Sequence, residues 1–96
     1  KIISEVIVMK KDTVVIPNET GLHARPASML VDEASSYEAE VQIVYDGQEV
    51  NAKSIMGVMS LGISQDGEIV VQADGADEEE AVAAIVELVQ GGFGEE

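Results

Sequence analysis

The chain has 96 residues, 46% of them hydrophobic, which suffices for one small domain with its own core and leaves no room for a second. Five cations against nineteen carboxylates give a formal charge of −14, which excludes nucleic acid and anionic membrane surfaces as partners, since both require a cationic face. The absence of cysteine excludes disulfides and thiolate chemistry, and one histidine leaves a zinc site short of ligands, so no structural metal is expected.

No apolar run approaches the roughly 18 residues needed to cross a bilayer, and residues 1–8 are too short and too mixed for a secretory signal. A cytoplasmic location is the expectation. The acidic excess fits two settings: a saline cytoplasm, where carboxylates keep a protein hydrated while counterions screen their repulsion, or an ordinary acidic protein. Met9 with Lys10 and Lys11 fits a natural start. The leader, residues 1–8, and the glycine-rich tail, residues 91–96, are expected to be peripheral.

Between the two ends the periodicity reads in chain order. Val14 and Ile16 alternate with Thr13 and Val15 in a β-rich run that Pro17 closes, a first strand. Ala27, Leu30, Val31 and Ala34 then form the apolar stripe of an amphipathic helix, with Ser28, Asp32, Glu33 and Ser35 outside it. Ala39, Val41, Ile43 and Tyr45 alternate along a second strand, and Asp46-Gly47 supplies the positive φ that a tight hairpin needs before Val50 and Ala52 return. Ser54 can cap a short helix over 55–61, which Gly62 ends in a left-handed conformation. After the Gln65-Asp66-Gly67 turn, Ile69, Val71 and Ala73 mark a fourth strand. Asp77 with Glu80 has the spacing of a capping box, and Ala81, Ala84, Ile85 and Leu88 give the stripe of a last helix.

The order is β-α-β-β-α-β-α, and each strand is apolar on one face. The expected fold is an α+β two-layer open-faced sandwich: a four-stranded antiparallel sheet with three helices on one face and water on the other.

The chemistry concentrates at Gly21-Leu22-His23-Ala24-Arg25-Pro26-Ala27, where the first strand passes into the first helix. Pro26 is tolerated because first-turn amides have no intrahelical acceptor, so the helix can begin at Ala24 with His23 as its N-cap. Free amides and the positive end of the helix dipole favour an anion beside that ring. An uncharged imidazole nitrogen is a nucleophile, and Arg25 can offer a planar fork to phosphate oxygens. Gly21 gives the backbone the freedom to leave the ring exposed.

Residues 20–27 resemble the active-site signature of the histidine-containing phosphocarrier family, HPr. Lys53-Ser54-Ile55-Met56-Gly57-Val58-Met59-Ser60-Leu61-Gly62 is similar to the regulatory serine region of the same family. The likeness runs from about residue 12 to residue 90 and implies a carrier in the phosphoenolpyruvate-dependent sugar phosphotransferase system. It implies that enzyme I phosphorylates Nδ1 of His23, that an EIIA domain accepts the phosphoryl group, and that Arg25 stabilises the charge in transit. The carrier would need no cofactor and have no independent turnover. The Gly57-Val58-Met59 version of the second motif resembles that of Gram-positive members, which implies phosphorylation of Ser54 by an HPr kinase/phosphatase and a link to a catabolite repressor.

Met29, Ile55, Met56 and Met59 are the candidates for the docking surface, because adaptable methionines suit a protein that meets several partners in turn. Relatives often carry basic residues around this patch, whereas Arg25 and Lys53 are the only cations near it in this sequence. A monomer is expected. Two other functions share these features: a nitrogen-branch phosphocarrier, and a regulatory module acting through phosphorylated Ser54 alone.

Overall fold

A computed structural model describes residues 9–94. In chain order it contains β1 (Lys10–Val15), α1 (Ala24–Ser35), β2 (Glu40–Tyr45), β3 (Gln48–Asn51), α2 (Ile55–Ser60), β4 (Glu68–Asp74) and α3 (Glu78–Gln90), followed by a 3-10 turn, Gly92–Gly94. The strands form one antiparallel sheet in the order β1-β4-β2-β3. This is the α+β open-faced sandwich that the alternating strands and amphipathic helices predict.

Register follows from burial. Val14 pairs with Ile69, and Val71 and Ala73 pair with Ile43 and Val41, so the buried positions of three strands align on one face. A slip by one residue would turn that set to water. The helices supply the other half of the core: Ala27, Leu30 and Ala34 from α1, Val58 from α2, and Ala81, Val82, Ile85 and Val89 from α3. Helix α3 packs on β1 and β4, and α1 packs against both α2 and α3. The hairpin between β2 and β3 turns through Asp46 (φ 52°) and Gly47 (φ 82°), two consecutive left-handed residues that match the twist of the strands.

Four expectations are corrected. Strand β1 begins at Lys10 rather than Thr13. It is an edge strand, so Lys10, Lys11 and Asp12 pair on one side and remain exposed. Asp77 does not form a capping box: its side chain makes no cap bond, and instead accepts the backbone N–H groups of Glu38 and Ala39, at 2.9 Å each. The first turn of α3 is bridged by Glu78, whose Oε1 accepts from Gly75 N at 3.0 Å.

The buried stripe of α3 runs through Val82 and Val89, with Ala84 and Leu88 only half-buried. That helix is apolar on most sides, so an i, i+3, i+4 pattern fits two registers and the sheet decides between them. Finally, residues 92–94 are not peripheral. Phe93 is buried at 3% exposure despite φ 57°, because burying the only phenylalanine outweighs a left-handed backbone that costs about 1–2 kcal/mol. The leader and residues 95–96 lie outside the described residues.

Candidate functional site

His23 is the N-cap of α1, in extended conformation (φ −125°, ψ −164°), and its ring makes no cap hydrogen bond. Its carbonyl accepts the N–H of Ala27 at 2.9 Å, which starts the helix. A capping side chain normally engages the amide at the second or third helical position. Here the third position is Pro26, which has no N–H, so fewer donors compete for the ring and it stays exposed. The amides of Ala24 and Arg25 precede the first intrahelical bond. Arg25 is exposed on the same turn, and Pro26 is buried beneath it.

The loop that presents His23 is held from two sides. Buried Asn18 donates through Nδ2 to the carbonyl of Gly21 at 2.8 Å and to Oγ1 of Thr20 at 3.0 Å. The N–H of Leu22 donates to the carbonyl of Ile63 at 2.9 Å, joining this loop to the chain that leaves α2. Gly21 has φ 72°, and a Cβ there would collide with the Ile63 carbonyl oxygen, so glycine is required both by backbone angle and by space. A hollow lies behind the loop, lined by Pro17, Thr20, Gln90 and Gly92 among others, but neither His23 nor Arg25 lines it. His23 and Arg25 are both exposed, so the ring is open to a docking macromolecule.

Ser54 caps α2 as its sequence suggests, with Oγ accepting the N–H of Gly57 at 3.1 Å. It does not sit beside His23. Lys53 reaches with Nζ to the carbonyl of Tyr37 at 2.7 Å, just past the C-terminal end of α1. His23 stands at the other end of that twelve-residue helix, about 18 Å away along its axis. Helix α2 thus starts near the far end of α1, and the chain that leaves it returns to the His23 loop at Ile63. Ile55, Met56 and Met59 are exposed along it, Met56 at 78%. Met29, on α1, is partly buried and packs against the core, so it is less free than the three exposed side chains of α2.

A family model described as the PTS HPr component phosphorylation site matches residues 10–91. The chain belongs to the HPr family. HPr-C-His from Thermoanaerobacter tengcongensis is 50% identical and superposes with a TM-score of 0.88, over 91% of this chain and 98% of that one. The phosphocarrier protein HPr of Bacillus anthracis str. Ames is 44% identical, with a TM-score of 0.83 over 85% of this chain and 98% of its own. The catabolite repression protein Crh of Bacillus subtilis is 46% identical, with a TM-score of 0.70 over 77% of this chain and 85% of its own. That Crh structure is a dimer with a swapped domain, so a single-chain state is not general among these relatives.

Within this HPr fold, His23 and Arg25 share one helix start, while Ser54 belongs to a different helix end. Asn18 and Ile63 are the site's supports that the sequence reading missed. The only signal for Asn18 was a short amide side chain between Pro17 and Gly21, and nothing local pointed to a carbonyl 41 residues further on in the case of Leu22 and Ile63.

Proposed function

We propose that this HPr-family protein carries a phosphoryl group on Nδ1 of His23, taken from phosphorylated enzyme I and passed to an EIIA domain in sugar uptake. The observation that carries this reading is the exposed, uncapped imidazole of His23 at the start of α1, with Arg25 exposed on the same first turn. The ring nitrogen attacks phosphorus in line, and the P–N bond of the donor phosphohistidine breaks as the new one forms. The amides of Ala24 and Arg25 and the guanidinium of Arg25 then face the phosphoryl oxygens, where preorganised donors contribute most to such transfers. The return transfer runs the same steps with His23 as leaving group. One exposed nucleophile serves donor and acceptor alternately, so both dock on the face built by the α1 start, Met29, Ile55, Met56 and Met59.

Ser54 is the regulatory position in this reading. A phosphate there carries about −1.5 to −2 charge at the start of α2, facing any partner that covers Ile55 and Met56. Incubation with phosphoenolpyruvate and enzyme I should give an acid-labile, alkali-stable adduct that His23→Ala abolishes in a folded protein. Arg25→Ala should keep the acceptor but slow transfer about 10²-fold, as for loss of one oxyanion-type donor. An undiminished adduct in His23→Ala defeats the assignment. Modification only by ATP and HPr kinase would favour the regulatory reading that the likeness to Crh suggests, and transfer only from a nitrogen-branch enzyme I would move the chain to that cascade.

A further inference from the structure

The nineteen carboxylates are not spread evenly along the chain: residues 20–31 and 52–65, which build the His23 loop, most of α1, and α2 with its exit, contain none. The first carboxylate side chain on α1 is Asp32, and it is exposed. Helical spacing places Arg25, Met29 and Asp32 at i, i+4 and i+7, on one stripe of α1. Seven residues of helix set Asp32 about 10 Å beyond Arg25 along the axis. The docking face is therefore an apolar patch with Arg25 at the reactive end, Asp32 two turns further along α1, and Lys53 held at the carbonyl of Tyr37 just past the end of that helix.

We infer that Asp32 is a specificity determinant of this face, and that the proteins trading a phosphoryl group with His23 present a Lys or Arg opposite it, about 14 Å along the helix axis from the reacting centre. The inference rests on the phosphocarrier reading above. Arg25 is engaged with the phosphoryl oxygens whenever transfer occurs, so it cannot by itself fix how a partner is rotated about the His23 axis. A second charge of opposite sign, on the same rigid helix, does fix it. Donor and acceptor reach the same nucleophile over the same apolar surface, so both meet Asp32. Complementary charge at such a position sets encounter rate and register more than it adds affinity, and a like charge opposite it selects against other partners.

The test uses the full chain with phosphoenolpyruvate and enzyme I from the same genome. Asp32→Lys and Asp32→Asn are compared with Glu87→Lys, an exposed reversal on α3 that changes net charge by the same amount. Asp32→Lys should raise the KM of enzyme I for this protein about tenfold at low salt with kcat unchanged, Asp32→Asn should fall between it and wild type, and Glu87→Lys should stay within twofold. The differences should shrink as salt approaches molar. If Asp32→Lys and Glu87→Lys shift KM alike, the effect is one of overall charge and the inference fails. Failure of the wild-type chain to accept phosphate at His23 would instead overturn the reading beneath it.

Discussion

The carboxylate of Asp77 accepts the backbone N–H of Ala39 at 2.9 Å, joining the start of α3 to the loop between α1 and β2 across 38 positions of sequence. The adjacent N–H of Glu38 donates to the other oxygen. Gly75 packs behind this clasp, where a Cβ would come within 2.6 Å of the Ala39 Cα. The Glu38 amide chiefly, with the Ala39 amide and the Lys53 charge adding, holds the Asp77 carboxyl below the usual carboxylate range, against a partial desolvation that raises it.

A lowered folded-state pKa contributes stability that is present above the unfolded value, about 3.9, and is lost as pH falls through the folded one. Asp77→Ala should lower the urea midpoint clearly at pH 7, and Glu79→Ala, an exposed carboxylate two residues on, should hardly move it. The gap between Asp77→Ala and wild type should close as pH is taken below about 4. A gap of constant size down to pH 2.5 would show that the lost contribution does not come from the ionised clasp.

Ser54 separates structural from regulatory roles. Its Oγ satisfies the Gly57 amide, so Ser54→Ala should cost about 1 kcal/mol in urea unfolding, the usual price of a lost serine cap. Ser54→Asp keeps an acceptor at the cap and should recover most of that stability. In the phosphocarrier reading the same variant should slow transfer from enzyme I, because it adds a fixed negative charge beside Ile55 and Met56. Stability and transfer rate should therefore move in opposite directions between the two variants. If Ser54→Asp both restores stability and transfers at the wild-type rate, charge at this position does not regulate docking.

Much of this architecture was legible because its signals are local. The Asp46-Gly47 turn, the Ser54 cap and the left-handed Gly62 (φ 61°) each depend on a few neighbouring residues, and each stands where the sequence puts it. His23 and Arg25 were visible for the same reason, since Pro26 fixes the helix start. What stayed hidden depends on partners far along the chain. Asp77 leaves its own helix for amides near residue 38, Leu22 leans on Ile63, and the sheet chooses which side of the apolar run 81–86 in α3 is buried.

Phe93 extends that lesson to the end of the fold. Its neighbours Gly92 (φ 68°) and Gly94 (φ 73°) read as a sequence unable to hold structure, yet they permit the turn that folds the ring into the core against α3. Phe93→Ala should cost about 3 kcal/mol in urea unfolding, at the low end for a buried aromatic because the site lies at the edge of the core. Phe93→Leu should cost less than half of that. A loss under about 0.5 kcal/mol for Phe93→Ala, typical of a surface substitution, would return the segment to the periphery.

Salt should act on the whole molecule. Nineteen carboxylates with five cations repel one another most at low ionic strength, where the Debye length is about 30 Å at 0.01 M and exceeds the 13.1 Å radius of gyration. At about 1 M that length falls to about 3 Å and most repulsion between exposed groups is screened. The urea midpoint should therefore rise with KCl, most steeply at low concentration. Sulfate also strengthens apolar burial by exclusion from the surface, so a sulfate series at matched ionic strength should lie above the KCl curve, and the KCl rise measures screening. Screening should saturate by a few tenths molar, because each further doubling of salt shortens the Debye length by little. A midpoint that keeps climbing to several molar KCl would instead indicate ion and water binding by the carboxylate surface, the behaviour expected of a protein suited to a saline cytoplasm. A flat curve would remove that setting and leave the acidic surface without a role in stability.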